Sequence, residues 1–181
     1  MHCDSVNEDN ETLSHADRML LDAAESWHMM QNYRAAEYEL SQITPEFWHH
    51  PDVLHLRCRV YWRLRKIALA LSSASRFIEK CPDQTFGYIF KAQMLAYDGR
   101  PQEGYDLLLG IHTQFPQNTG VPFQLAECAA QAGFWPEAMH WLKVAIWAAP
   151  YLKAVALDVK VFKPIRHQIK AVIDSSSGAA N

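Results

Sequence analysis

The residues most able to do chemistry in this sequence are its nine histidines, of which His49, His50 and His55 lie close together around Pro51. Two histidines on a helix bind zinc when they are four residues apart and a cysteine or carboxylate joins them. The spacing here differs, and His55 falls at the start of the next expected helix. We therefore favour a solvated loop over a metal site, and expect no metal.

Other catalytic patterns are missing from the sequence. It contains no G-x-S-x-G, no phosphate-binding loop and no H-E-x-x-H. The cysteines Cys3, Cys58, Cys81 and Cys128 form no C-x-x-C pair, which argues against a zinc ribbon or a dithiol redox site. We expect no catalytic residues, no cofactor and no enzyme activity, with isolated buried thiols that suit a reducing compartment.

Composition and charge point to a helix-rich globular protein. Hydrophobic residues make up 49% of the 181 residues, glycine occurs seven times, the formal charge is −3 and the pI is about 6.3. This balance disfavours binding to nucleic acid or an anionic membrane. No apolar run reaches the roughly 18 residues of a membrane span, and a secretory signal is not evident, so we expect a cytoplasmic protein.

The sequence repeats with a period of 34 residues. Gly99 and Gly133 are separated by this offset, and so are Pro82, Pro116 and Pro150. The repeat divides the chain into the blocks 17–50, 51–84, 85–118 and 119–152. A period of this length predicts stacked supersecondary units.

Small residues fill two fixed positions of every block. The eighth position is Ala24, Cys58, Ala92 or Ala126 in the four blocks. The twentieth position is Ala36, Ala70, Gly104 or Ala138. Such columns indicate pairs of helices that cross closely, because only a small side chain lets two backbones approach.

The pattern resembles the tetratricopeptide repeat (TPR), a 34-residue helix-turn-helix unit. The last block matches best, with Ala126, Ala138 and Ala145 at the close-contact positions, Gly133 at the turn and Pro150 near the end. The pattern is broken in three places: Trp48 replaces the usual proline, Arg65 the usual turn glycine and Pro122 the usual aromatic residue.

The resemblance implies an all-α fold of four helix-turn-helix repeats in a right-handed superhelical solenoid, with a C-terminal capping helix. We predict a repeat domain at 13–174, whose capping segment is 153–174, between disordered tails at 1–12 and 175–181. The predicted helices are 13–30, 33–43, 51–64, 67–80, 85–98, 102–114, 121–132, 135–148 and 165–174. We place Trp141 and Trp147 on the convex side, and expect 151–174 to fold over Trp147.

In this fold the first helix of each repeat lines a concave groove, which implies a site for a protein or peptide partner. The predicted groove residues are Arg59, Trp62, Arg63, Phe86, Phe90, Gln93, Phe123, Gln124 and Glu127. We expect a partner segment to lie across the aromatic residues, with the arginines holding its polar groups.

Two simpler interpretations of these residues stay open. Single aromatic residues could pack between helices, and Arg59 and Arg63 could pair with neighbouring carboxylates of Asp22, Glu25 or Asp52. For the arginines we favour the second interpretation on the sequence alone.

Relatives that grip the C-terminal carboxylate of heat-shock chaperones carry lysine, asparagine and arginine at five fixed groove positions. The chain has other residues at all five, whether the pattern starts in the first or the second block, so we disfavour a chaperone-tail adaptor. The resemblance thus favours a non-enzymatic interaction adaptor, similar to small bacterial TPR proteins.

Two further functions remain alternatives. The chain is acidic over its first 25 residues and basic over 153–170, so copies could associate head to tail as a homo-oligomer. A TPR-type chaperone for an exported protein is the other alternative.

Overall fold

The structure, a computed structural model, describes residues 12–177, and their side chains as far as residue 171. Within this range it contains ten α-helices and no strand. The helices are α1 (His15–Met29), α2 (Tyr33–Gln42), α3 (Pro51–Arg63), α4 (Ile67–Lys80), α5 (Thr85–Tyr97), α6 (Pro101–Ile111), α7 (Gly120–Gln131), α8 (Trp135–Ala148), α9 (Leu152–Asp158) and α10 (Arg166–Ser177). Three 3-10 turns follow α2, α6 and α9, at Pro45–Phe47, His112–Gln114 and Lys160–Ile165.

The nine predicted helices are confirmed, with bounds that shift by a few residues. Helix α9 was not predicted as a helix, and α10 extends to Ser177, so residues 175–177 are helical. Of the predicted tails, residues 1–11 and 178–181 lie outside the described residues. No helix in the described part of the chain is long and apolar enough to cross a membrane.

Local signals explain where the first helices begin. The Ser14 hydroxyl accepts a hydrogen bond from Asp17 N at 3.1 Å, and Asn32 Oδ1 accepts one from Ala35 N at 3.2 Å. The ring of His50 caps α3 by accepting from Asp52 N at 3.2 Å. Each of these groups satisfies a backbone N–H that has no partner inside its helix.

Four turns between consecutive helices share one backbone conformation. Gln31, Arg65, Gly99 and Gly133, spaced by 34 residues, have φ angles of 61°, 60°, 82° and 83°. After each of them, the next N–H donates to a carbonyl five residues back, as in Asn32 to Trp27 and Phe134 to Ala129. This is a Schellman-type helix end, which favours glycine because it requires positive φ. Arg65 therefore keeps the standard turn without the usual glycine.

The described part of the chain divides into two compact units, one on each side of the boundary between Met94 and Leu95. In the first unit α1 packs on α2 and α3 on α4, and in the second α7 packs on α8. The small residues predicted at these crossings are fully buried: Ala24, Ala36, Cys58, Ala70, Ala126 and Ala138. Burial raises the pKa of Cys58 and Cys128 to about 12, so both remain thiols at neutral pH.

A buried carboxylate fastens the connection after α2 to the start of α1. Asp17 is 2% exposed and accepts hydrogen bonds from Thr44 N at 2.8 Å, from Thr44 Oγ1 at 3.0 Å and from the Ser14 hydroxyl. The bond from Ser14 lowers the pKa of this carboxyl most, and the two bonds from Thr44 also lower it. Asp17 therefore stays ionised inside the first unit.

Trp48, which replaces the usual proline, has a hydrogen-bonding role of its own. Its indole N–H donates to Ile43 O at 2.7 Å, close to the end of α2. The guanidinium of Arg57 donates to Trp48 O at 3.2 Å and to Leu40 O at 3.1 Å. The bonds to Leu40 O and Ile43 O satisfy carbonyl groups at the C-terminal end of α2, and the bond to Trp48 O satisfies one after the 3-10 turn.

The C-terminal segment caps the second unit differently from the prediction. Trp147 is 88% exposed, so the expectation that 151–174 folds over it is wrong. The segment instead inserts Phe162, which is 1% exposed, against Phe123 of α7, with the ring centroids 5.9 Å apart. Ala145, Ala149 and Leu152 form a buried cluster at the same end.

Trp141, which we predicted on the convex side, packs against a neighbouring helix. Trp141 is 8% exposed, and its indole N–H donates to the Tyr105 hydroxyl at 3.0 Å. The ring of His112 meets it edge-on at 4.9 Å. Trp141 is therefore a packing residue between α8 and α6, and the amphipathic ring buries its apolar body while its N–H finds a partner.

Candidate functional site

The candidate site in the first unit is built on α3. His55, Arg59 and Arg63 follow one another at four-residue spacing, which places them along one side of the helix. The two arginines are exposed, whereas His55 and the neighbouring Trp62 are half-buried. This side of α3 therefore presents two cations beside partly covered rings.

An aromatic cluster adjoins the arginines. The ring centroids of His55 and of Phe86 on α5 lie 4.1 Å apart. Phe86 stacks on Phe90, with a centroid distance of 5.6 Å. Phe77 of α4 meets Phe86 edge-on at 5.2 Å. Phe90 is 7% exposed and Phe77 is 3% exposed, while Phe86 is half-buried. The buried rings thus form a floor, and Phe86 and His55 form the surface that a ligand could touch.

The arginines contact rings rather than carboxylates. Arg59 Nη2 lies 3.5 Å from His28 Nδ1, and the Arg63 guanidinium lies 4.9 Å from the centroid of the Tyr33 ring. Among the described residues neither arginine forms an ion pair, and Asp52 pairs with Arg18 at 3.2 Å instead. The structure does not form the ion pairs with Asp22, Glu25 or Asp52 that we favoured from the sequence.

The positive charge of this surface comes from arginine at neutral pH. Burial lowers the pKa of His28, and the nearby charges of Arg59 and Arg63 lower it further. Burial likewise lowers the pKa of His55, with Arg59 as the next cause. Both rings are therefore neutral, and the guanidinium groups are the cations available to a ligand.

The predicted groove residues of the second unit have partners within that unit. Phe123 is half-buried against Phe162. Gln124 is 4% exposed, with its Nε2 3.9 Å from Cys128 Sγ. Glu127 is half-buried, and burial raises the pKa of its carboxyl. Gln93 belongs to the first unit and is exposed on α5.

Three residues of this surface were not among the predicted site residues: His28, Tyr33 and His55. The sequence carried a signal for His28, because it occupies the same repeat position as Trp62. His55 also stood at a groove position, but its contact with Phe86 depends on the approach of α5 to α3. The contact of Arg63 with Tyr33 had no sequence signal.

The described side chains do not gather into a cluster of metal-ligand type. In the part of the chain that the structure describes, no three His, Cys, Asp or Glu side chains come together as metal ligands would. The surface offers guanidinium groups, neutral imidazoles and aromatic faces. Such groups can hold a carboxylate next to an apolar side chain.

Comparison with solved structures identifies the fold. TTC0263, a thermophilic TPR protein in Thermus thermophilus, has a TM-score of 0.67 and 18% identity, over 91% of this chain and 92% of that one. A mutant of MamA has a TM-score of 0.65 and 17% identity, over 93% and 96% of the two chains. MamA from MSR-1 has a TM-score of 0.63 and 16% identity, over 88% and 98%.

No protein-family model and no curated protein matches the sequence. At the identities of the structural matches, the similarity shows the fold. The described part of the chain has a TPR-like, all-helical fold, as the 34-residue period predicted.

Proposed function

We propose that this TPR-like chain is a non-enzymatic interaction module that binds an acidic and apolar segment of another protein. The binding surface is the side of α3 and α5 formed by His55, Arg59, Arg63 and Phe86, with Phe90 beneath it. The single observation that carries the proposal is the state of the two arginines. They are exposed beside aromatic rings, and neither forms an ion pair in the described part of the chain.

The chemistry of the bound segment follows from these groups. A carboxylate of the partner would accept hydrogen bonds from the guanidinium of Arg59 or Arg63, which can bind it through two N–H groups at once. An apolar side chain of the partner would cover the faces of Phe86 and His55. A partner residue of each kind, a short distance apart, would occupy the whole surface.

The residues of the second unit have a smaller part in this proposal. Phe123, Gln124 and Glu127 were predicted in the same groove, yet Phe123 already has Phe162 as a partner and Gln124 is buried. Trp62 and Gln93, on α3 and α5, stay candidates for polar or aromatic contacts at the edge of the surface. The proposal therefore depends on the first unit.

A selection experiment with random peptides tests the proposal, because it requires no identified partner. Displayed peptides are enriched on the wild-type chain and then on the variant Arg59→Glu with Arg63→Glu. We expect wild-type selection to enrich peptides that carry Asp or Glu near an aromatic or aliphatic residue, and the variant to lose them. Enrichment of the same peptides on both chains would contradict the proposal.

The matched control reverses two charges elsewhere. Lys143 and Lys160 are exposed lysines of the second unit, and their replacement by Glu changes the net charge by the same amount. This control should select the wild-type peptides. Phe86→Ala is the apolar test, and it is preferable to a change at Phe90, because Phe90 is buried and its loss would disturb the core.

A further inference from the structure

His28, near the C-terminal end of α1, belongs to the same cluster of side chains as the two arginines. Its Nδ1 lies 3.5 Å from Nη2 of Arg59, and its ring meets the Tyr33 ring edge-on, with the centroids 5.5 Å apart. The guanidinium of Arg63 lies 4.9 Å from the centroid of the same Tyr33 ring. Because His28 is half-buried, solvent reaches part of its imidazole.

The contact with Arg59 determines where neutral His28 carries its hydrogen. A guanidinium has N–H donors and no acceptor, so Nδ1 of His28 accepts in this contact and the hydrogen of the neutral ring is on Nε2. A second proton would go to Nδ1, the atom that faces Arg59. It would end the hydrogen bond and place a third positive charge beside two guanidinium groups.

The free protein therefore disfavours the charged form of His28. Burial lowers the pKa of this imidazole most, and the charges of Arg59 and then of Arg63 lower it further. Two of these three causes are the cations that the proposed function assigns to the ligand. Any group that neutralises those cations also removes their effect on His28.

Other charged and titratable groups surround this cluster on the same three helices. Helices α2 and α3 pack on α1. The Glu37 carboxylate of α2 pairs with Lys66 at 2.6 Å, and the His55 ring of α3 also interacts electrostatically with His28. The remaining groups close to the cluster in sequence are exposed: Glu25 on α1 and Arg34 on α2.

A bound carboxylate would reverse the electrostatic balance at His28. A carboxylate held by Arg59 or Arg63 brings a negative charge to the cluster, and an opposite charge nearby favours the protonated imidazole. The ring would then take a proton from solvent at Nδ1. Protonated Nδ1 is a donor, so it would donate a charge-assisted hydrogen bond to the carboxylate in place of the bond that it accepted from Arg59.

We propose that His28 is a third hydrogen-bond donor of the binding surface, and that it takes up a proton from solvent when an acidic partner segment binds. The role of His28 rests on the proposed function, because it requires the acidic group to bind at Arg59 and Arg63. It adds a residue of α1 to a surface built on α3 and α5. It also makes the affinity for the partner depend on pH.

The direction of the pH dependence follows from the two states of His28. Its pKa is below the usual 6.5 in the free protein and higher in the complex. Above both values the ring is neutral in both states, and below both it is charged in both, so protonation of His28 changes the affinity only between them. There the affinity should rise by up to about tenfold for each unit that pH falls. The partner's carboxylates, with an ordinary pKa of about 4, stay ionised in this range.

Calorimetric titration of the full chain measures the proton uptake directly. The probe is the peptide most enriched on the wild-type chain in the selection described above. Titrations near neutral pH, in buffers of different ionisation enthalpy, should show uptake of up to one proton per bound peptide. His28→Asn should abolish the uptake and the tighter binding at lower pH, because its amide can accept from Arg59 but cannot take a proton.

The matched control is His140→Asn, which removes an exposed histidine of the second unit. It should keep both the proton uptake and the pH dependence of the wild type. A second measurement needs no ligand. In an NMR titration of the free chain, Arg59→Gln with Arg63→Gln should raise the pKa of His28, because two opposing charges are removed. An unchanged pKa would overturn the coupling.

The possible results distinguish the role of His28 from the binding function itself. Peptide binding that depends on Arg59 and Arg63 but takes up no proton would overturn the role of His28 and leave the proposed function in place. Undiminished uptake in His28→Asn would have the same meaning. A selection that yields no arginine-dependent peptide would overturn both.

Discussion

The centroid of the His55 imidazole ring on α3 lies 4.1 Å from the centroid of the Phe86 ring on α5. This contact joins the cationic side of α3 to the aromatic cluster, so that Arg59 and Phe86 belong to one surface. Neither residue alone would distinguish a ligand site from ordinary helix packing. Their connection through His55 is the basis for proposing that a mixed acidic and apolar partner segment binds here.

The Asp17 carboxylate should stabilise the first unit in a pH-dependent way. Asp17→Asn removes an acceptor from Thr44 and Ser14, and we expect a loss of about 2 kcal/mol in the free energy of unfolding at pH 7. The pKa of Asp17 is lowered in the folded state, so its contribution is complete above the unfolded value of 3.8 and is lost as pH falls below it. Urea unfolding of the wild type and of Asp17→Asn at pH 7 and pH 3 measures this contribution. The difference between their free energies of unfolding should be smaller at pH 3.

The control for that experiment is Asp22→Asn, because Asp22 is an exposed carboxylate on the same helix. It should change the free energy of unfolding by less than about 0.5 kcal/mol. An equal loss from both variants would mean that net charge, and not the contacts of Asp17, sets the effect.

A side chain at Gly133 should destabilise the turn because of the backbone conformation there, and not because space is lacking. Its φ is 83°, and an added Cβ would meet no atom within 4 Å. We expect Gly133→Ala to destabilise the protein by about 1 kcal/mol. Gly110 in α6 also has free space around an added Cβ, but its φ is not positive. Gly110→Ala should therefore stabilise the protein by up to about 1 kcal/mol. Thermal unfolding that moves both variants in one direction would contradict this account.

Gly87 should be required for a different reason, the close approach of α5 to α4. A Cβ at this position would lie 2.8 Å from Ile78 Cγ1 and 2.9 Å from Phe77 Cδ1. Gly87→Ala should therefore cost about 1 kcal/mol or more despite the better helix propensity of alanine. A double-mutant cycle with Ile78→Ala should recover part of the loss, and strict additivity of the two changes would count against the contact.

The two aromatic residues at the C-terminal end should respond in opposite ways to truncation. Phe162 is 1% exposed and Trp147 is 88% exposed. Phe162→Ala should lower the free energy of unfolding by about 3 kcal/mol, since it leaves a cavity against Phe123. Trp147→Ala should stay within about 0.5 kcal/mol of the wild type. Similar losses from both would restore the idea that the tail covers Trp147.

The sequence predicted the helices well because their determinants are local or periodic. Small residues every 34 positions located the crossings, and Gly99 and Gly133 marked two turns. Arg65 and Gln31 show the limit of that signal, because neighbouring hydrogen bonds impose positive φ on residues that do not favour it.

The candidate site was harder to predict, because its contacts join residues far apart in the chain. Repeat position selected Arg59 and Phe86, but it could not show whether a carboxylate lay near the arginine. Nor could it show that Phe162 would cover Phe123. Those outcomes depend on how the elements pack together.

The central claim is that Arg59 and Arg63 bind the acidic group of a partner segment beside Phe86. The most direct measurement is a calorimetric titration of one selected peptide into the wild type, Arg59→Glu with Arg63→Glu, and Lys143→Glu with Lys160→Glu. The account predicts that the first variant weakens binding by at least about 100-fold, that salt weakens the wild-type affinity and that the lysine variant binds nearly normally. Equal affinities of the two variants would contradict it.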